Sequence, residues 1–281
     1  MNTRKLEPEL KQKWHKLIGL VESKDSMLSA LSGGIDSSFL LYAINFALRG
    51  RVIAATVAHD LIPAEEIAEA EKTAEVLGVP WRLLTMKVLK IPQVEENTTD
   101  RCYHCKTHMF SLLKEFALKN NIQTVADGAN LDDSLAYRPG NGAAQEAEIF
   151  RPLCEARLTK HDIRQLGKAA GLTNWAKPAS ACLATRFPYG NKITTEKLAQ
   201  VSEGEKILRR MGFHNCRLRL HGEICRVEVE KDELPSLLEK ASILTELLRG
   251  LGFIYICADI NGLQSGSMDY HIISNKQKAE I

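Results

Sequence analysis

A parallel α/β sheet covered by helices on both faces, followed by a small α+β unit, is the fold class this sequence predicts. Three observations carry the prediction. Short, nearly unbroken apolar runs alternate with helical patterns through the N-terminal part of the chain, as strands buried on both faces require. A Ser-Gly turn, Ser32-Gly33-Gly34-Ile35-Asp36-Ser37-Ser38, separates the first such run from the helical pattern after it. From Thr194 onward the order changes to helix, two alternating strands, helix and strand.

Leu6, Leu10, Trp14, Leu17 and Val21 recur at near-helical spacing and predict an amphipathic N-terminal helix packed onto the body. Strands are expected roughly at 27–31, 52–58, 82–86 and 123–127, and helices roughly at 36–48, 64–77 and 103–119. Gly50, Gly78 and Asn120-Asn121 mark the junctions. Thr159, with Asp162 three positions on, reads as an N-cap opening a helix that runs to Ala170 and stops at Gly171. The stretch 175–190 lacks periodicity and reads as a long functional loop closing a first domain. A helix near 195–211 then precedes strands 216–221 and 224–230, joined by a turn at His221-Gly222-Glu223. A helix near 232–249 and a strand at 253–258 complete an αββαβ unit. The division expected is 1–190 and 191–281, the second domain serving substrate binding and oligomerisation as a homo-oligomer.

With 281 residues, 44% apolar and 26% charged, the chain has the composition of an ordinary soluble protein with room for two cores. From a formal net charge of +2 no strong sequence-independent nucleic-acid affinity follows, although a local basic patch stays open. No apolar run is long enough to span a bilayer, and no signal-type apolar core follows Met1-Asn2-Thr3-Arg4-Lys5. A cytoplasmic protein without a membrane partner is expected, its seven cysteines reduced unless they bind metal.

The Ser32–Ser38 turn has the makings of a phosphate cradle. Adjacent Gly33 and Gly34 admit backbone conformations closed to other residues, and successive N–H groups with a helix N-terminus behind them face an anion. Ser32, Ser37 and Ser38 add hydroxyl donors. Asp36 is too acidic to hold phosphate and reads as a partner of Mg²⁺ or bound water. The loop lacks the Gly-Lys-Ser/Thr ending of a Walker A motif. It resembles the SGGxDS loop of the ATP pyrophosphatase (PP-loop) families, which cleave ATP between its α- and β-phosphates. That resemblance implies an adenine nucleotide alpha hydrolase-like fold for the first domain.

Cys102-Tyr103-His104-Cys105 opens a predicted helix, where two thiols can meet one metal and the helix N-terminus lowers their pKa. By itself the pair reads equally as a redox dithiol, half a zinc site or coincidence. Cys182, within the stretch from Pro178 to Arg186, is a third candidate. Cys154, Cys216, Cys225 and Cys257 lie in apolar patterns and read as core residues.

Taken with Ser32–Ser38, the segments Asp127-Gly128, Tyr137-Arg138-Pro139-Gly140, Leu158–Arg164, Gly171–Trp175, Arg186–Gly190 and Cys216–His221 resemble the LarE family. The resemblance implies sulfur insertion into a pyridinium biscarboxylate mononucleotide, on the way to a nickel-pincer cofactor. ATP adenylates a carboxylate, and sulfide bound to a [4Fe-4S] cluster converts it to a thiocarboxylate. One form of the family sacrifices a single cysteine, and that position falls at Ala181 here. The chain instead resembles the cluster form, with Cys102, Cys105 and Cys182 as ligands and one iron left open. Partners implied are ATP, Mg²⁺, the nucleotide substrate and a sulfide donor protein.

The resemblance further implies that Arg186, Arg217 and Arg219 bind the substrate phosphate. Arg217 and Arg219 alternate on one strand face, where two guanidinium groups can grip one phosphate, or form a solvated face. Asp127 and Gly128 end a strand, and Asp127 approaches the ATP ribose or metal or caps the next turn. Thr56, Val57 and Ala58 end another, where backbone groups of the family contact adenine. Glu205 and Glu228 match acidic positions of the family, with surface charge as the plain alternative. A tRNA thiolase of the same loop class, a nucleotide and redox sensor, and ammonia-dependent amidation are the rival functions. Modest charge opposes the first, the intact Asp36 loop the second, and the three cysteines the third.

Overall fold

The N-terminal periodicity becomes α1 (Pro8–Glu22), which carries a proline in its first turn and buries Leu10, Trp14, Leu17 and Val21. The computed structural model describes residues 6–135, 140–178, 180–264 and 266–269, so Tyr137, Arg138 and Pro139 lie outside the described residues. After α1 come β1 (Met27–Ala30), α2 (Ile35–Leu48), β2 (Val52–Ala58), α3 (Ala64–Val76) and β3 (Trp81–Thr85). The chain continues through α4 (Pro92–Glu95), α5 (Arg101–Lys119), β4 (Thr124–Ala126), α6 (Leu131–Leu135), α7 (Gly140–Glu146), α8 (Pro152–Glu155) and α9 (Lys160–Ala169). Then follow α10 (Thr195–Arg210), β5 (Arg217–His221), β6 (Ile224–Glu228), α11 (Leu234–Glu239), α12 (Ala241–Gly250) and β7 (Tyr255–Ala258). Two compact units result: Met1–Ile91 with Asp100–Ser180, and Pro92–Thr99 with Ala181–Ile281.

The first unit is the parallel α/β sheet that the sequence predicts. Its four strands run in the order β3-β2-β1-β4, every pairing parallel. Side chains alternate across each strand, so successive residues feed different cores. Met27 and Ala54 join a cluster with α1, α2, α3 and α9, while Leu28, Ala55 and Val57 join Phe110 and Leu113 of α5 and Ala143 of α7. Trp14 packs its ring 5.9 Å from Phe39 of α2. Full burial of each such side chain contributes about 1.5–3 kcal/mol. Because β1 leads outward to β2 and β3 while β4 returns on its other side, the chain direction switches between β1 and β4. In open sheets of this kind ligands bind outside the carboxyl ends of the strands at that switch. The loops after β1 and β4 flank it.

The second unit pairs β5 with β6 in an antiparallel hairpin, and β7 lies parallel to β6. The hairpin turn is Gly222-Glu223, with Gly222 at φ +62°. The single helix expected over 232–249 is instead broken into α11 and α12 at Lys240. Lys240 ends α11 with its ammonium on the Met211 carbonyl, 2.9 Å away, and over the Phe213 ring. The last strand starts at Tyr255 rather than 253. Gly204 of α10 lets β5 approach closely, since a Cβ there would meet Leu218 Cδ1 at 2.4 Å.

Candidate active site

β1 ends at Ala30 and delivers the chain to the Ser32–Ser38 loop. Gly33 takes φ +79°, and a Cβ there would stand 2.5 Å from the Glu66 carbonyl oxygen of α3. Both facts demand glycine. Gly34 does not share the demand: it is extended at φ −81°, caps α2, and has room for a Cβ. The expectation that both glycines take conformations closed to other residues therefore holds for Gly33 alone. Across the switch point, Gly128 presses against α2, where a Cβ would lie 2.8 Å from Ser37 N.

The serines divide in the same way. Ser32 is exposed at the loop mouth. Ser37 Oγ donates to the Gly34 carbonyl at 3.0 Å and meets Ser32 Oγ at 3.0 Å. Ser38 is fully buried and accepts from Asn174 Nδ2 at 2.9 Å. The hydroxyls of Ser37 and Ser38 thus brace the loop from inside. Asn174 also donates to the Gly33 carbonyl at 3.2 Å, tying the loop to the segment after α9. Nothing in the local sequence signals that clamp.

Asp36 lies in the first turn of α2. Burial raises its pKa, against the ammonium of Lys160, which lowers it. Lys160 Nζ donates to Asp36 Oδ2, while Asp36 Oδ1 is buried with no hydrogen-bond partner. An orphaned carboxylate oxygen beside a glycine turn and a helix N-terminus suits a divalent cation. Sequence reasoning passed over Lys160. One signal was legible: a lysine in the first turn of a helix opposes the macrodipole and needs a carboxylate partner.

At the end of β4, Asp127 accepts from Ala129 N at 3.1 Å and pairs with Arg151 at 3.2 Å. It caps the turn that follows, one of the two roles the sequence left open. Thr56 Oγ1 is buried, donates to Leu31 O at 2.8 Å and accepts from Trp81 Nε1 at 2.9 Å. Just past β2, burial pushes the His59 imidazole down to about 4, keeping it neutral.

Cys102 and Cys105 stand three residues apart in the first turn of α5, hence on one helix face, both half-buried. Cys182 belongs to the second unit and precedes a turn at Leu183–Arg186. Among the described residues, neither unit by itself groups three His, Cys, Asp or Glu side chains as metal ligands. Burial pushes Cys216 and Cys225 up to about 12, so they are inert core thiols as expected. Cys257, in contrast, is exposed, and Cys154 is half-buried with its thiol on the Asn130 carbonyl at 2.8 Å.

In the second unit the arginines are held by carboxylates. Arg186 forms a two-pronged pair with Glu205, at 2.7 and 3.2 Å, and Arg219 one with Glu228, both at 3.0 Å. Glu205 and Glu228 are buried, which rules out the surface-charge reading of both. Arg219 is likewise buried rather than solvated, while Arg217 and His221 on the same strand face are half-buried. Thr185 links the pairs, its hydroxyl accepting from Arg186 at 2.9 Å and its carbonyl from Arg219 at 2.6 Å. Arg186 also donates to the Ala181 carbonyl at 3.1 Å, so it fixes the backbone beside Cys182. Burial lowers the pKa of half-buried Arg217, and the charges of Arg186 and Arg219 lower it further. Such crowding of positive charge favours an anionic ligand. Asn97 of the Pro92–Thr99 segment, fully buried at φ +55°, donates to the Phe187 and Pro188 carbonyls at 3.2 and 2.7 Å.

No protein-family model matches the chain. It is 35% identical to the pyridinium-3,5-bisthiocarboxylic acid mononucleotide synthase of Lactiplantibacillus plantarum over 254 residues, covering 90% of this chain and 92% of that one. An uncharacterized protein of Synechocystis sp. is 34% identical over 87% of this chain and 92% of its own length. Another, from Methanocaldococcus jannaschii, is 28% identical over 91% and 94%.

Proposed function

This chain belongs to the pyridinium-3,5-bisthiocarboxylic acid mononucleotide synthase (LarE) family and is a sulfurtransferase, and from that premise we propose an ATP-dependent, cluster-assisted sulfur insertion. Its substrate is pyridinium-3,5-biscarboxylic acid mononucleotide. The observation that carries the ATP half is the loop after β1. Gly33 brings the backbone close, the N-terminus of α2 faces an anion, and Asp36 holds an unsatisfied buried oxygen. Asp36 would hold the magnesium of ATP, which neutralises charge on the departing pyrophosphate. Loop N–H groups, with Ser32 at the mouth, orient the triphosphate so that a substrate carboxylate meets the α-phosphate. Strand-end groups at Thr56, Asp127 and Gly128 line the adenosine side. In the second unit, Arg217 faces the substrate phosphate, with Arg186 and Arg219 aligned by Glu205 and Glu228. Cys102, Cys105 and Cys182 would hold a [4Fe-4S] cluster, whose chemistry there is to present sulfide to the acyl-adenylate. Arg186 holds the Cys182 backbone in place for that task.

The test uses protein purified without oxygen, assayed for iron and sulfide, then given ATP, Mg²⁺ and the biscarboxylate nucleotide. Pyrophosphate, AMP and a thiocarboxylate detected by mass spectrometry are expected. Asp36→Asn keeps the side-chain volume and should abolish pyrophosphate release while ATP still binds the backbone cradle. Normal pyrophosphate release by that variant would remove Asp36 from the metal site. Thiocarboxylate formation by iron-free protein would remove the cluster.

A further inference from the structure

We propose that Lys160 acts as a stand-in cation on Asp36. It closes the metal site while no nucleotide is bound and passes to the phosphates when metal and nucleotide arrive together. The inference rests on the reading of Asp36 as the magnesium residue. Lys160 opens α9, 124 residues beyond Asp36, and its ammonium is ion-paired to Asp36 Oδ2.

The base of this side chain is fixed with unusual care. Lys160 N donates to Asp132 Oδ2 at 2.8 Å. Thr159 and Asp162 form a reciprocal capping box around it, and Lys13 anchors Asp162 at 2.9 Å. α9 itself lies tightly on α2, because Gly167 leaves no room for a Cβ, which would sit 2.8 Å from Ile35 Cδ1. The stem, by contrast, is a flexible four-carbon chain with 29% of its surface exposed. A fixed base and a free tip let the ammonium swing without moving the helix.

Charge decides where it swings. On one carboxylate, Oδ2 already carries a cation and Oδ1 has no partner. A divalent ion bound there would stand within a few ångströms of the ammonium, and like charges at that range repel. The ammonium must then leave Asp36. The triphosphate at the neighbouring helix N-terminus is the anion within its arc. The exchange conserves charge: ammonium with carboxylate becomes metal with carboxylate and ammonium with phosphate. Metal and nucleotide therefore bind cooperatively, and by linkage each raises the other's affinity by the same factor.

The experiment measures Mn²⁺ binding to the full-length protein by electron paramagnetic resonance, with and without α,β-methylene ATP. Lys160→Met should tighten binding of Mn²⁺ alone, by about three- to tenfold, because a competitor for Asp36 is gone. The same change should weaken nucleotide binding and shrink the metal–nucleotide coupling. A lysine that merely supported the fold would weaken both. Adding Asp36→Asn to Lys160→Met should erase the gain. Unchanged or weaker binding of Mn²⁺ alone by Lys160→Met overturns the inference while leaving the magnesium assignment standing. Wild-type Mn²⁺ affinity in the Asp36→Asn single variant overturns that assignment, and the inference with it.

Discussion

Replacing each of the two loop glycines with alanine should give sharply unequal results. At Gly33 the backbone sits at φ +79°, where a Cβ costs about 1–2 kcal/mol. That Cβ would also lie 2.5 Å from the Glu66 carbonyl oxygen, a backbone atom of α3 that cannot rotate away. Relieving such an overlap by shifting a packed helix costs roughly 1–3 kcal/mol more. Gly33→Ala should therefore lose about 2–5 kcal/mol, read as roughly 5–15 °C in the melting temperature. Gly34→Ala meets nothing closer than Ser32 Oγ at 3.6 Å and keeps an extended backbone. Its loss of a preferred N-cap residue is offset by a less flexible unfolded chain, so its change should stay within about 1 kcal/mol. Differential scanning fluorimetry measures both, and a pyrophosphate assay should show Gly33→Ala with the larger fall in kcat/KM for ATP. Equal melting losses, or wild-type stability in Gly33→Ala, would refute the claim that the α3 contact sets the loop.

Three further outcomes are expected. Glu205→Ala strands the buried Arg186 guanidinium and should cost about 3–5 kcal/mol in denaturant melts, with Glu205→Gln milder because it keeps hydrogen bonds; a wild-type midpoint for Glu205→Ala would show that the pair is not buried in solution. Cys102→Ser, Cys105→Ser and Cys182→Ser should each lose iron content and visible absorbance while pyrophosphate release persists, and full iron retention by any one would exclude that thiol as a ligand. His59 binds its proton more tightly when unfolded, near 6.5, than when folded, near 4. Its contribution to stability is therefore complete above pH 6.5 and lost as the pH falls toward 4, by up to about 3 kcal/mol. His59→Gln should flatten stability against pH across that window, and an unaltered slope would mean that the imidazole is solvated.

The strands of the first unit and its helices α1, α2, α3, α5 and α9 were legible because their apolar spacing is local and strong, as in Leu10, Trp14, Leu17 and Val21 of α1, whereas the short α6, α7 and α8 carry too few residues to show a period. The broken helix was not: Leu237, Leu244 and Leu248 are all buried and keep nearly one helical phase across Lys240, hiding the interruption. The loop after β1 announced itself through Gly33 and Asp36, yet its braces did not, since Asn174 is 141 residues from Gly33. For Glu205 and Glu228 the sequence left surface charge open beside the family's acidic positions, because burial of a carboxylate depends on an arginine brought to it by tertiary packing. Local sequence carries the turn and the cap; it carries no sign of which distant charge will meet them.

The Pro92–Thr99 segment gives the chain an unusual order of assembly. It leaves the first unit after Ile91, joins the second, and returns at Asp100, long before most of the second unit has been synthesised. On the ribosome, Asn97 must wait some ninety residues for the Phe187 and Pro188 carbonyls that accept from its amide. A gene fragment cut after Ser180 would produce this segment with its partners missing, so dissection at the apparent boundary should yield a sticky product. Transposing residues 92–99 to directly before Ala181, with a linker joining Ile91 to Asp100, would make each unit continuous in sequence.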